Sequence, residues 1–97
     1  MKQTFQQRVI EHLKTVGARK HDGLYDYELD TDIGTLLVSV YEDWIACRWV
    51  DLDRALKVKD TLGTNFNPHN GKWNFVFTNP SIKHVNYFIS QLGPFLS

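Results

Sequence analysis

The sequence holds one cysteine, Cys47, so no intramolecular disulfide forms, and a reducing compartment is expected. No stretch approaches the roughly 18 apolar residues of a membrane span, and Met1 to Gln7 carry no apolar run of signal-peptide length. A cytoplasmic location without a membrane partner follows as the expectation. Charge of one sign is also missing. Eleven Lys and Arg stand against eleven Asp and Glu, for a formal net charge of +0. That balance argues against a protein that coats nucleic acid, because such binding draws most of its affinity from cations meeting phosphates.

Short catalytic and metal signatures are absent too. His12, His21, His69 and His84 show no H-E-x-x-H spacing, and one cysteine does not build a structural zinc site. The six glycines are isolated, each at an expected element boundary, so there is no glycine-rich phosphate loop. No cofactor and no metal are expected. No repeat, low-complexity tract or composition shift divides the chain, and residues 1–97 read as a single α+β domain.

The chain is rich in periodic apolar pattern. Phe5, Val9, Ile10, Leu13 and Val16 recur at helical spacing behind a T-x-x-Q capping box at Thr4 and Gln7, and Gly17 ends the run. Ala18 to Gly23 is polar, basic and turn-rich, which predicts a surface loop. From Leu24 to Asp30 apolar and acidic residues alternate, predicting a strand with Tyr25, Tyr27 and Leu29 on one side and Asp26, Glu28 and Asp30 on the other. A turn ending at Gly34 follows.

Two apolar runs, Thr35 to Tyr41 and Trp44 to Val50, flank Glu42-Asp43. Closing a hairpin there sets Val40 opposite Ile45, Val38 opposite Cys47 and Leu36 opposite Trp49, all apolar. The other face pairs Tyr41 with Trp44, Ser39 with Ala46 and Leu37 with Arg48. Asp51 caps a second helix with Leu52, Ala55, Leu56 and Leu62, stopped by Gly63. Asn70-Gly71 before Lys72 to Thr78 signals a further hairpin, with Trp73, Phe75 and Phe77 on one face. Asn79-Pro80 is expected to cap a third helix carrying Ile82, Val85, Phe88, Ile89 and Leu92. The expected order is α-β-β-β-α-β-α: an antiparallel sheet of about four strands with helices covering one face.

The order of the first five elements resembles the double-stranded-RNA-binding domain in topology. The start of the second helix is Asp51-Leu52-Asp53-Arg54, where that family needs lysines to meet phosphates, so the resemblance stops at element order. The RNA-recognition motif does not fit either: the chain begins with a helix, and no strand carries the basic-aromatic core.

Function is therefore sought in surfaces. Leu37, Tyr41, Trp44 and Arg48 make a mixed aromatic and arginine face of the kind protein interfaces favour, which predicts a non-enzymatic module that binds a protein partner or a second copy of itself. The alternative is weak binding of single-stranded nucleic acid, with Tyr41 and Trp44 stacking on bases and Arg19, Lys20, Arg48 and Lys72 approaching phosphates. The loop residues Asn67, His69, Asn70 and Lys72 offer a second ligand position, although tight turns require the same residue types. A small enzyme with a site between His69, Asn70 and Arg48 is the third reading. Cys47 is expected on the core face, where a thiol is an inert small hydrophobe.

Overall fold

A computed structural model describes residues 3–96. The chain runs α1 (Phe5–Thr15), β1 (Arg19–Lys20), β2 (Tyr27–Thr31), β3 (Gly34–Val40), β4 (Trp44–Trp49), α2 (Leu52–Lys57), α3 (Lys59–Leu62), β5 (Phe75–Val76) and α4 (Ile82–Leu92), ending in a 3-10 turn at Gly93–Phe95. The fold is α+β, as expected, with every strand paired antiparallel to its neighbour in chain order. No helix among the described residues is long and apolar enough to cross a membrane.

The sheet has five strands rather than four. The additional one, Arg19–Lys20, lies within the segment expected to be a loop and pairs with Glu28 and Tyr27. Both of its residues are exposed, so an edge strand two residues long leaves no hydrophobic alternation to read. At the other edge the expected strand from Lys72 to Thr78 contracts to two residues, although its register is kept from the Ile45–Phe75 pair to the Arg48–Lys72 bridge. Between them the Asn74 side-chain oxygen accepts the Cys47 N–H at 3.2 Å, while Trp73 N–H donates to the Cys47 carbonyl at 2.8 Å. A side chain thus replaces one rung of the ladder.

The β3–β4 register is the expected one: Val40 faces Ile45, Val38 faces Cys47 and Leu36 faces Trp49. All six side chains are buried, with Leu29 of β2, against the apolar stripes of α1 (Phe5, Val9, Leu13) and α4 (Val85, Phe88, Leu92). At one end of this core Trp73 stacks its ring edges against Phe75 at 4.8 Å and lies 5.4 Å from Trp49, and its indole N–H donates to the Leu62 carbonyl at 2.9 Å.

Capping explains the helix limits. The Thr4 hydroxyl accepts the Gln7 N–H at 3.1 Å, and the Gln7 side chain returns a bond to the Thr4 N–H at 2.9 Å. The expected second helix is two helices, because Val58, packed against the core, leaves helical geometry at φ −120°. Asp51 caps α2 by accepting the Arg54 N–H at 3.1 Å, and Gly63 at φ 78° ends α3. The final helix is capped two residues later than expected, at Ser81 instead of Asn79. Asn79 takes a turn conformation at φ 49°, Pro80 stays outside, and the Ser81 N–H donates to the His84 ring nitrogen at 2.9 Å.

Candidate binding face on the outer side of the sheet

The side of the sheet away from the helices carries the residues singled out for binding. Tyr41 and Trp44 follow one another across the Glu42-Asp43 turn, and their rings stack at 4.6 Å with an interplanar angle of 15°. Toward the other end a cross-strand row reads Arg19, Glu28, Leu37, Arg48, Lys72. Ser39 and Ala46 lie between the two ends, and this is the shallow spot their small size predicts.

That spot is partly roofed. Residues 21–26 form a strap held by the His21 N–H to the Asp26 carbonyl and by the Asp26 N–H to the Ser39 hydroxyl, both at 3.0 Å. Ser39 is consequently 1% exposed and Ala46 7%, although both point away from the helical core. The expectation that Tyr25 shares the inner side with Tyr27 and Leu29 is corrected here. Regular strand begins at Tyr27, so alternation does not reach back to Tyr25, which lines the outer cavities beside Leu24. Leu24, at the strap's crest, is 96% exposed.

Two cavities flank the crest. One, of 290 Å³, has Ala46 among its lining residues, with the Tyr41–Trp44 stack, Arg48, and Lys72 with Asn74. The other, of 320 Å³, lies among His21, Leu37, Arg48 and Val50. Leu24, Tyr25 and Arg48 line both, so the guanidinium-bearing residue marks the junction. Another cavity, of 370 Å³ among Lys59, Gly63, Phe66 and Pro68, lies elsewhere and brings no comparable aromatic and cationic set together.

Charges on the outer face divide into paired and unpaired groups. Arg19 meets Glu28 at 3.2 Å and Asp30 at 3.1 Å, and His21 lies 3.7 Å from Glu28. The Arg19 guanidinium holds the Asp30 carboxyl below the usual carboxylate range. Among the described residues neither Arg48 nor Lys72 has an acidic partner within ion-pair distance. Of the four cations considered for nucleic acid, Arg48 and Lys72 therefore share a cavity, Arg19 is bound to carboxylates, and Lys20 sits on the opposite side of β1 by strand alternation.

The loop candidates are separated by their own hydrogen bonds. The Asn67 side chain accepts the His69 N–H at 2.9 Å, and the Asn70 side chain accepts the Lys72 N–H at 3.0 Å. Gly71, at φ 79°, packs so that an added Cβ would lie 3.0 Å from the Trp49 carbonyl oxygen. Lys72 joins the outer face, whereas His69 and Asn70 line neither of its cavities. Cys47 is fully buried in the core, and burial pushes its thiol pKa up. Desolvation lowers the pKa of His12, and the His84 ring packs 4.6 Å from Phe77. Among the described residues no group of three potential metal ligands comes together.

Sequence reading missed the strap, and with it Leu24, Tyr25, His21 and Val50 as members of this surface. The available signal was Gly23 beside Asp22, a turn pair directly ahead of the apparent alternation. No family model, curated protein or solved structure matches this chain.

Proposed function

We propose that this domain is a non-enzymatic protein-binding module that docks its partner on the outer face of the sheet, through Leu37, Tyr41, Trp44 and Arg48. The observation that carries the reading is the 290 Å³ cavity, where a stacked aromatic pair and two cations without acidic partners among the described residues converge on a small-residue floor. Aromatic and arginine side chains give large contact area with few rotors, which is why they anchor interfaces. The cavity's polar side chains, Arg48, Lys72, Asn74 and the tyrosine hydroxyls, bind and orient. It contains no carboxylate, imidazole or thiol to act as base or nucleophile. Single-stranded nucleic acid would use the same aromatics, but the exposed Glu42 and Asp43 flank the stack and repel phosphates there.

Side-by-side affinity capture with the wild type and a Tyr41→Ala/Trp44→Ala variant tests the assignment. Partners retained by the wild type are expected to be lost from the variant, and each purified partner is expected to shield Trp44 fluorescence from iodide. Equal retention by both proteins would reject the outer face as the docking surface.

A further inference from the structure

We infer that the occupant of this face is an acidic segment of another protein, bound in extended conformation along β4, with an apolar side chain on the Tyr41–Trp44 stack and a carboxylate on Arg48 and Lys72. This inference rests on the outer face being the docking surface and names the chemistry of what it takes. The first argument is charge. The carboxylates within the cross-strand rows, Glu28 and Asp30, are held by Arg19 and His21, which leaves Arg48 and Lys72 as the charges of the row that have no ion-pair partner among the described residues. A carboxylate suits both, bidentate on guanidinium and as a point contact with ammonium.

The second argument is shape. The cavity spans β4 from Trp44 to Arg48, with Leu24 and Tyr25 lining one side and Lys72 and Asn74 of the β5 edge the other. Four residues of strand cover about 13 Å, so an extended chain laid along β4 presents its side chains at i and i+4 to the two ends. The motif that fits is an apolar residue followed four positions later by Asp or Glu. Ala46, small and between the ends, is part of the cavity's floor, so no large side chain rises between the two ends there.

Other occupants meet obstacles at named residues. A second copy packed flat against this face collides with the strap, whose crest, Leu24, stands almost fully exposed. A nucleic-acid strand stacked on Tyr41 and Trp44 brings its phosphates to Glu42 and Asp43, whereas a peptide can carry its charge at the Arg48 end alone.

The probe is an acetylated, amidated peptide, Phe-Ser-Ser-Ser-Glu, titrated against the whole isotope-labelled chain by NMR. Its Gln-ending counterpart and a hexathymidylate are the controls. Expected are shifts confined to β4, the strap and the Trp44 indole, and an affinity about tenfold higher for the Glu peptide than for the Gln peptide at low salt. Arg48→Gln, an exposed substitution, should erase that preference, and Tyr41→Ala should weaken both peptides alike. Equal affinity of the two peptides, with Tyr41→Ala still weakening both, overturns the acidic occupant and leaves the outer face standing as the docking surface. No shift in β4 at about 2 mM peptide, an energy poorer than about 4 kcal/mol, overturns the inference. Tighter binding of hexathymidylate through the same residues replaces it with nucleic acid. A dimer of the free chain that Arg48→Gln disperses in sedimentation replaces it with self-association.

Discussion

The two faces of the β3–β4 ribbon are woven from the same residues in alternation, yet they are built on different principles. On the inner side Leu36, Val38, Ile45, Cys47 and Trp49 are uniformly apolar and sealed, so position along the strand hardly changes the environment. On the outer side the environment is graded: stacked aromatics at one end, Ser39 and Ala46 under a strap in the middle, and, at the other end, two cations with no ion-pair partner among the described residues. Uniform burial supplies stability, roughly in proportion to apolar area. A gradient along one strand supplies direction, because a bound chain can satisfy it in only one orientation. What sets the outer face apart is asymmetry along β4, more than exposure as such.

The strongest way to break the comparison is to remove inner-face mass. Trp73→Ala deletes a fully buried ring in contact with Trp49, Phe75 and Phe95 and leaves the Leu62 carbonyl without its donor. A loss of about 3–5 kcal/mol is expected, large beside the roughly 5–15 kcal/mol that holds a domain folded. A urea midpoint lowered in proportion checks it. A midpoint near the wild-type value would mean that the core does not depend on this aromatic end.

Ser39→Ala probes the middle of the gradient and is expected to cost about 1 kcal/mol, the net value of one hydrogen bond. The Asp26 amide loses its acceptor, so its hydrogen exchange should accelerate while the amides of Val38 and Cys47 keep their protection. Uniform acceleration across β3 and β4 would show that the strap is part of the global fold rather than a layer laid on it.

The legibility of these features in the sequence follows the same division. The inner face was readable because six apolar residues in strict alternation admit only one register, and a slip by one residue would bury Arg48. The capping box at Thr4 and Gln7 was readable because both partners lie within one turn of helix. Local signals failed where a long-range contact decided the conformation. Val58 breaks the second helix as it packs against a core assembled from distant residues. Tyr25 looks like one more member of an alternating strand until the bond from Asp26 to Ser39, thirteen residues on, pulls its segment across the sheet. The aromatic and arginine positions of the outer face were visible from hairpin parity alone; the strap that divides this face into two cavities was not, because bends carry no period.

Leu24→Ser should produce the smallest change in stability and therefore the sharpest contrast between the faces. Leu24 is 96% exposed, makes no contribution to the buried core, and belongs to a strap tied by hydrogen bonds at His21, Asp26 and Ser39. Its replacement is expected to move the unfolding free energy by less than about 0.5 kcal/mol, as for a surface substitution away from any special feature. Leu24 also lines both outer cavities, so the same change removes apolar wall from the proposed peptide site. Burying part of that side chain against a partner is worth about 1 kcal/mol, which corresponds to a several-fold loss of peptide affinity. Titration and urea unfolding of one variant thus read the two faces separately. A destabilised protein with unchanged affinity would reverse the assignment and make the exposed leucine a structural residue.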